Sequence, residues 1–183
     1  LIVAQHPVTT RYHEAAKEMR ITLEALQEVN IQTVLIYPNP DAGSEMMVRE
    51  VRKHNQKHKK NNVIKNCYKN ISFDSYLNLL KHSSCLVGNS SSGIREAHLF
   101  GTPVVNIGSR QDNRERTSNI IDVPHEKDDI VDSIMKQIQV GEYKNISNFY
   151  GDGSAAHKIV EKLCRLPLEN ISQKKLWIKD EKR

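Results

Sequence analysis

Aromatic side chains make up only 5% of this 183-residue chain, and one of them is tryptophan. Proteins that hold single-stranded nucleic acid stack its bases on aromatics set among basic residues. The one dense basic run, Arg49 to Lys60, contains no Phe, Tyr or Trp. It reads as a solvated helix end and loop, and no nucleic-acid partner is expected. Cysteine is sparse too. Cys67, Cys85 and Cys164 form neither a metal spacing nor a disulfide framework. Cys85 lies in an apolar stretch and is expected to be a small buried hydrophobe. No apolar run approaches the roughly 20 residues that cross a bilayer, and none has the form of a secretory signal. The expectation is a cytoplasmic protein without a membrane partner.

The length suits one domain with a sizeable core. The net charge of +5, from 27 basic and 22 acidic residues, suits an anionic small ligand. Apolar strands alternate with helical patterns. Leu1 to Ala4 reads as a strand, Arg11 to Asn30 as a helix with Ala15, Met19, Leu23 and Leu26 on one face, and Thr33 to Tyr37 as a strand. Ser44 to His54 reads as a helix, Val63 to Cys67 as a strand and Phe73 to His82 as a helix. Strands at Cys85 to Gly88 and Pro103 to Ile107 flank a further helix, and Ile130 to Val140 and Ala155 to Cys164 close the pattern as helices. The fold class is therefore α/β, a Rossmann-like parallel sheet with right-handed crossovers over residues 1–165, followed by a polar tail at 166–183. Ligands of such sheets bind at the carboxyl ends of the strands. The chain opens on a core strand without methionine, and the expectation is a fragment whose N-terminal partner domain lies upstream.

The most informative segment is Gly88-Asn89-Ser90-Ser91-Ser92-Gly93-Ile94-Arg95-Glu96. A strand runs into a Ser-rich turn that opens a helix. Unpaired N–H groups at a helix start attract phosphate, and serine hydroxyls add donors without bulk. A carboxylate a turn further on can accept hydrogen bonds from a ribose diol. Ser90 and Ser91 are thus candidate diphosphate contacts, with Asn89 beside them, and Glu96 is a candidate ribose acceptor. The same residues would also serve a purely local strand-to-helix turn with a serine cap.

Other strand ends offer further candidates. His6 follows the first strand and could donate to a phosphate, protonate a leaving group, or simply cap a loop. Ile71, Ser72 and Phe73 could frame a base, and Phe73 could equally staple the next helix. Arg110 and Arg114 follow the last recognised strand and suit a pyrophosphate, although surface loops also carry arginines. Tyr150-Gly151-Asp152-Gly153 lacks the Gly-Lys-Ser/Thr of a P-loop and reads as a structural turn. His54 and His58 are four apart but lack the glutamate of a His-Glu-x-x-His site, so no metal is expected.

In order, Gln5-His6-Pro7-Val8-Thr9-Thr10, Pro38-Asn39-Pro40-Asp41-Ala42-Gly43, the Gly88–Glu96 segment, Phe100-Gly101-Thr102-Pro103-Val104 and Tyr150-Gly151-Asp152-Gly153 resemble the motifs of UDP-N-acetylglucosamine 2-epimerases. The first two are similar to the hydrolysing branch, which makes sialic-acid precursors; the non-hydrolysing branch usually has a His-Arg-Arg-Glu-Asn-like motif first. The resemblance covers about residues 1–165. It implies a GT-B architecture in which this chain is the C-terminal, UDP-binding half. It assigns Ser90 and Ser91 to the diphosphate, Glu96 to the ribose and Ile71 and Phe73 to the uracil. Arg110 falls near the UDP and His6 at the reaction centre. Arg49 and Arg52 match arginines that form a feedback site for CMP-sialic acid in animal enzymes. It further implies catalytic carboxylates in the other half, no cofactor, and a dimer or tetramer. The alternatives are a non-hydrolysing epimerase, a hydrolysing enzyme for a diacetamido sugar, a GT-B glycosyltransferase donor domain, or a nucleotide-sensing module.

Overall fold

Three central strands, β1 (Ile2–Ala4), β4 (Leu86–Gly88) and β5 (Val104–Ile107), are buried at every position. Such runs are what a parallel sheet covered on both faces demands. In the computed structural model, which describes residues 1–144, 146 and 150–166, these strands join β2 (Thr33–Ile36), β3 (Ile64–Tyr68) and β6 (Ile120–Val123). The sheet is wholly parallel in the order β3-β2-β1-β4-β5-β6, the doubly wound arrangement expected of a Rossmann-like fold.

Side chains alternate across the sheet with the strand period of two. Val3, Leu35, Val87 and Val105 face one core with Met19, Leu23 and Leu26 of α1 (Ala15–Val29). That core also takes Met47 and Val51 of α2 (Ser44–Lys57) and Ile130 and Ile134 of α5 (Lys127–Val140). Ile2, Ala4, Leu86 and Val104 face the other way, toward Leu80 of α3 (Phe73–Lys81) and Ala97. Each large aliphatic side chain so buried contributes about 1.5–3 kcal/mol. Cys85 shares the first of these cores, its thiol pushed up to about 12 by burial.

Three elements differ from the sequence-based expectation. The helix anticipated from Arg11 begins as a 3-10 turn, Thr9–Glu14, broken at Arg11 (φ −132°, ψ 34°), before α1 starts at Ala15. The helix anticipated after Gly88 is a single α turn, α4 (Ser92–Arg95), followed by a 3-10 turn, Ala97–Phe100. Gly93 lies so close to β5 that a Cβ there would meet Val104 at 2.9 Å. Strand β6 was not anticipated; it is a four-residue edge strand with one buried position.

Residues Leu1–Phe149 form one compact unit, and a second begins at Tyr150. In the second, Asp152 accepts from the Ser154 N–H at 3.0 Å at the start of α6 (Ala155–Arg165). Ser154 itself makes no cap. The polar tail anticipated from 166 lies, beyond Leu166, outside the described residues. Among those described, no helix is long and apolar enough to cross a membrane.

Candidate functional site

Strand order reverses between β1 and β4, where Ala4 pairs with Gly88. The chain leaves these two strands in opposite directions and opens a crevice at their carboxyl ends. The approach is close. The Ala4 carbonyl accepts from the N–H groups of Asn89 (3.2 Å) and Ser90 (3.1 Å). A Cβ on Gly88, at φ +131°, would stand 2.3 Å from that carbonyl oxygen, so only glycine fits there.

Asn89 ties three loops together. Its Oδ1 accepts from the His6 N–H at 2.7 Å and its Nδ2 donates to the His6 carbonyl at 2.8 Å. Its own carbonyl accepts from Arg110 Nη1 (3.0 Å) and Gln111 Nε2 (2.7 Å). The side chain is fully buried. Asn89 therefore holds the crevice in shape, and the phosphate contact anticipated for it has no exposed side-chain atom to rest on.

His6 is buried, and its Nδ1 accepts from the Asn39 N–H at 3.1 Å. That bond leaves the proton of the neutral ring on Nε2. Burial lowers the pKa to about 4, with the Arg110 charge adding to the effect and Asp41 opposing it. His6 is thus a neutral Nε2–H donor at physiological pH. The Pro38–Gly43 turn has a structural purpose here, since its Asn39 sets the tautomer.

Beyond Asn89 the serines divide the work. Ser90 Oγ accepts from the Ser92 N–H at 3.3 Å and bonds the Ser92 hydroxyl at 3.1 Å. Ser92, which is buried, also bonds the Tyr76 phenol. Among the described residues, neither the N–H nor the hydroxyl of half-buried Ser91 has a hydrogen-bond partner. Because α4 has one turn, helix-dipole attraction is small, and individual donors and nearby arginine charge carry any affinity for an anion. Glu96 caps the end of α4, half-buried; burial raises its pKa and Arg95 opposes this.

The remaining candidates spread outward. Ser72 caps α3 by accepting from the Ser75 N–H at 3.3 Å. Phe73, the first residue of that helix, is 65% exposed and Ile71 is half-buried, so Phe73 does not staple the helix. Arg110 is partly buried against the site, which lowers its pKa, Asp41 opposing. Arg114 is exposed, one residue after left-handed Asn113. Arg49 and Arg52 line a different recess of about 690 Å³ with Tyr37, Val48 and Lys69. His54 is buried and stacks on His58 with ring centroids 4.5 Å apart. Sequence reasoning missed Ser92, Tyr76 and Gln111. Tyr76 gave no local signal, since only the packing of α3 against the serine turn joins them.

A profile of the family described as UDP-N-acetylglucosamine 2-epimerase matches residues 1–164. The chain belongs to that family. It is 33% identical over 175 residues, 94% of its length, to a UDP-N-acetylglucosamine 2-epimerase of Neisseria meningitidis, of which it covers 45%. It is 32% identical over 169 residues to a hydrolysing UDP-N,N'-diacetylbacillosamine 2-epimerase of Legionella pneumophila, covering 92% of this chain and 43% of that protein. The fold is similar to that of the Methanocaldococcus jannaschii UDP-GlcNAc 2-epimerase, solved with UDP-GlcNAc and UDP. That likeness has a TM-score of 0.66 and 18% identity over 89% of this chain and 44% of the other. The chain thus spans less than half the length of these epimerases.

Proposed function

We propose that this chain is the UDP-binding half of a hydrolysing UDP-N-acetylglucosamine 2-epimerase. The observation that carries the reading is the crevice between β1 and β4, where the neutral His6 donor lies beside a serine turn whose Ser91 N–H and hydroxyl have no hydrogen-bond partner among the described residues. Ser90 and Ser91 bind the diphosphate, Glu96 the ribose hydroxyls, and Ile71 and Phe73 the uracil. Arg110 and Arg114 supply positive charge near the leaving group. In the reaction the C2 proton is removed and the C1–oxygen bond to UDP breaks, leaving a glycal. Water then adds to give N-acetylmannosamine with inverted C2. The serine donors and Arg110 stabilise charge developing on the departing diphosphate. His6 donates a hydrogen bond from Nε2 at the reaction centre. Proton transfer at C2 needs carboxylates, supplied by the other half of the enzyme, and the complete protein is a dimer or tetramer.

The test is a product assay on the complete protein with UDP-N-acetylglucosamine. Free UDP with N-acetylmannosamine supports the reading. UDP-N-acetylmannosamine as the stable product assigns the non-hydrolysing reaction instead. The Legionella relative favours a second reading, a diacetamido sugar nucleotide as substrate, which the same assay run side by side with UDP-N,N'-diacetylbacillosamine separates. The Arg49–Arg52 recess, with Lys69 as a third cation, is proposed to take an anionic effector. CMP-sialic acid that inhibits wild-type enzyme and not an Arg49→Ala variant supports this; equal inhibition of both rejects it.

A further inference from the structure

Tyr76, Ser92 and Ser90 form a row of hydroxyls from α3 into the serine turn. Each hydroxyl has one proton to give and two lone pairs to fill. Among the described residues the Tyr76 phenol has Ser92 as its one hydrogen-bond partner. A phenol is a stronger acid than an aliphatic hydroxyl, so Tyr76 donates and Ser92 Oγ accepts. Burial and nearby Glu96 keep that phenol protonated, against the effect of the Ser92 bond. Ser92 is buried and, among the described residues, its hydroxyl has no acceptor left other than Ser90, so Ser92 Oγ gives its own proton to Ser90 Oγ, 3.1 Å away. Ser90 Oγ also accepts from the Ser92 N–H at 3.3 Å. Both of its lone pairs are occupied, so its proton can point only out of the row.

We propose that Tyr76 is a positioning residue which, through Ser92, makes Ser90 a one-way donor to the diphosphate of a bound nucleotide. The inference deepens the nucleotide reading of this crevice and rests on it. A phosphate oxygen at neutral pH only accepts, so a donor with its direction already set binds it without reorientation. The phenol sits on the helix whose first residue is Phe73. One hydroxyl row thus links the helix proposed to hold the base to the turn proposed to hold the phosphates.

The experiment is a double-mutant cycle read by calorimetric titration of the chain with UDP. Tyr76→Phe keeps the ring and removes the hydroxyl. It should weaken UDP binding about tenfold, since Ser90, no longer held in one direction, loses most of the worth of its hydrogen bond to a charged group. In a Ser90→Ala background the same substitution should change affinity less than about twofold. If Ser90→Ala binds too weakly to measure, Ser92→Ala breaks the same row and serves as the second arm. Equal losses from Tyr76→Phe in both backgrounds overturn the relay, as does an unchanged affinity in Tyr76→Phe alone. A lowered melting temperature without ligand, with no coupling, assigns Tyr76 a structural role only and likewise overturns it. An unsubstituted chain that binds no UDP overturns the nucleotide reading itself.

Discussion

At His6, a backbone N–H donating to Nδ1 and a buried ring held neutral to about pH 4 leave Nε2 as a fixed donor. The arrangement also makes stability depend on pH. Between the ordinary value of 6.5 and about 4, the unfolded chain takes up a proton that folded His6 refuses. Stability is therefore complete above that window and falls as pH drops through it. Buried His54, also lowered to about 4 by burial, adds in the same direction. Denaturant midpoints measured across the window should fall with acidification, and less steeply in His6→Gln; identical slopes would exclude His6 as a source. Ser91 and Glu96 carry the affinity prediction. Ser91→Ala should weaken UDP binding roughly 10- to 100-fold, the worth of one hydrogen bond to a charged partner. Glu96→Ala should weaken it at least tenfold if the carboxylate holds the ribose diol. Calorimetry decides both, and wild-type affinity in either variant removes that residue from the site.

Among the elements, the β1–β4 seam tolerates little change. Gly88→Ala places a methyl 2.3 Å from the Ala4 carbonyl in a left-handed backbone. It should destabilise the fold by at least about 2 kcal/mol and loosen the crevice with it. Gln137 of α5 has a comparable duty at the other end of the sheet. Its buried Nε2 donates to the carbonyls of Val104 (2.7 Å) and Asn119 (2.8 Å). Gln137→Leu leaves both acceptors without that donor, and about 1–3 kcal/mol should be lost in thermal denaturation. An unchanged melting temperature would show that water replaces the amide. Alternation of strand and helix was readable from residue order because the central strands are predominantly apolar and buried at every position, with Asn106 in β5 the one amide among them. The elements that escaped sequence reading are those settled by packing. Edge strand β6 has mixed exposure and so lacks a clean period, and α4 is cut to one turn where Gly93 is pressed against Val104.

Over the whole molecule, the site's membership was more legible than its wiring. Ser90, Ser91 and Glu96 stand in one short motif, so their association is local. That Asn89 would lock onto His6, or Tyr76 meet Ser92, depends on strand order and helix packing, which no local pattern states. Binding of UDP should also appear as stabilisation of the entire unit Leu1–Phe149. At a hundred times Kd a ligand adds about 2.7 kcal/mol. For a domain of this size that is a rise of roughly 5–11 °C in melting temperature, readable by differential scanning fluorimetry. His6 and Asn89 are 83 residues apart in the chain, and this separation governs how the site comes into being. Every pairing in the sheet is parallel, and closing β1 onto β4 encloses the whole chain between them, a non-local pairing of the kind that is slow to form. A form in which β1 and β4 have not yet paired lacks the crevice, since His6 and Asn89 meet only across that seam. UDP should therefore slow unfolding while leaving the refolding rate unchanged, since only contacts absent from the transition state act on one limb alone. With that outcome, a bound nucleotide would be a latch on the finished fold, with no part in guiding its assembly.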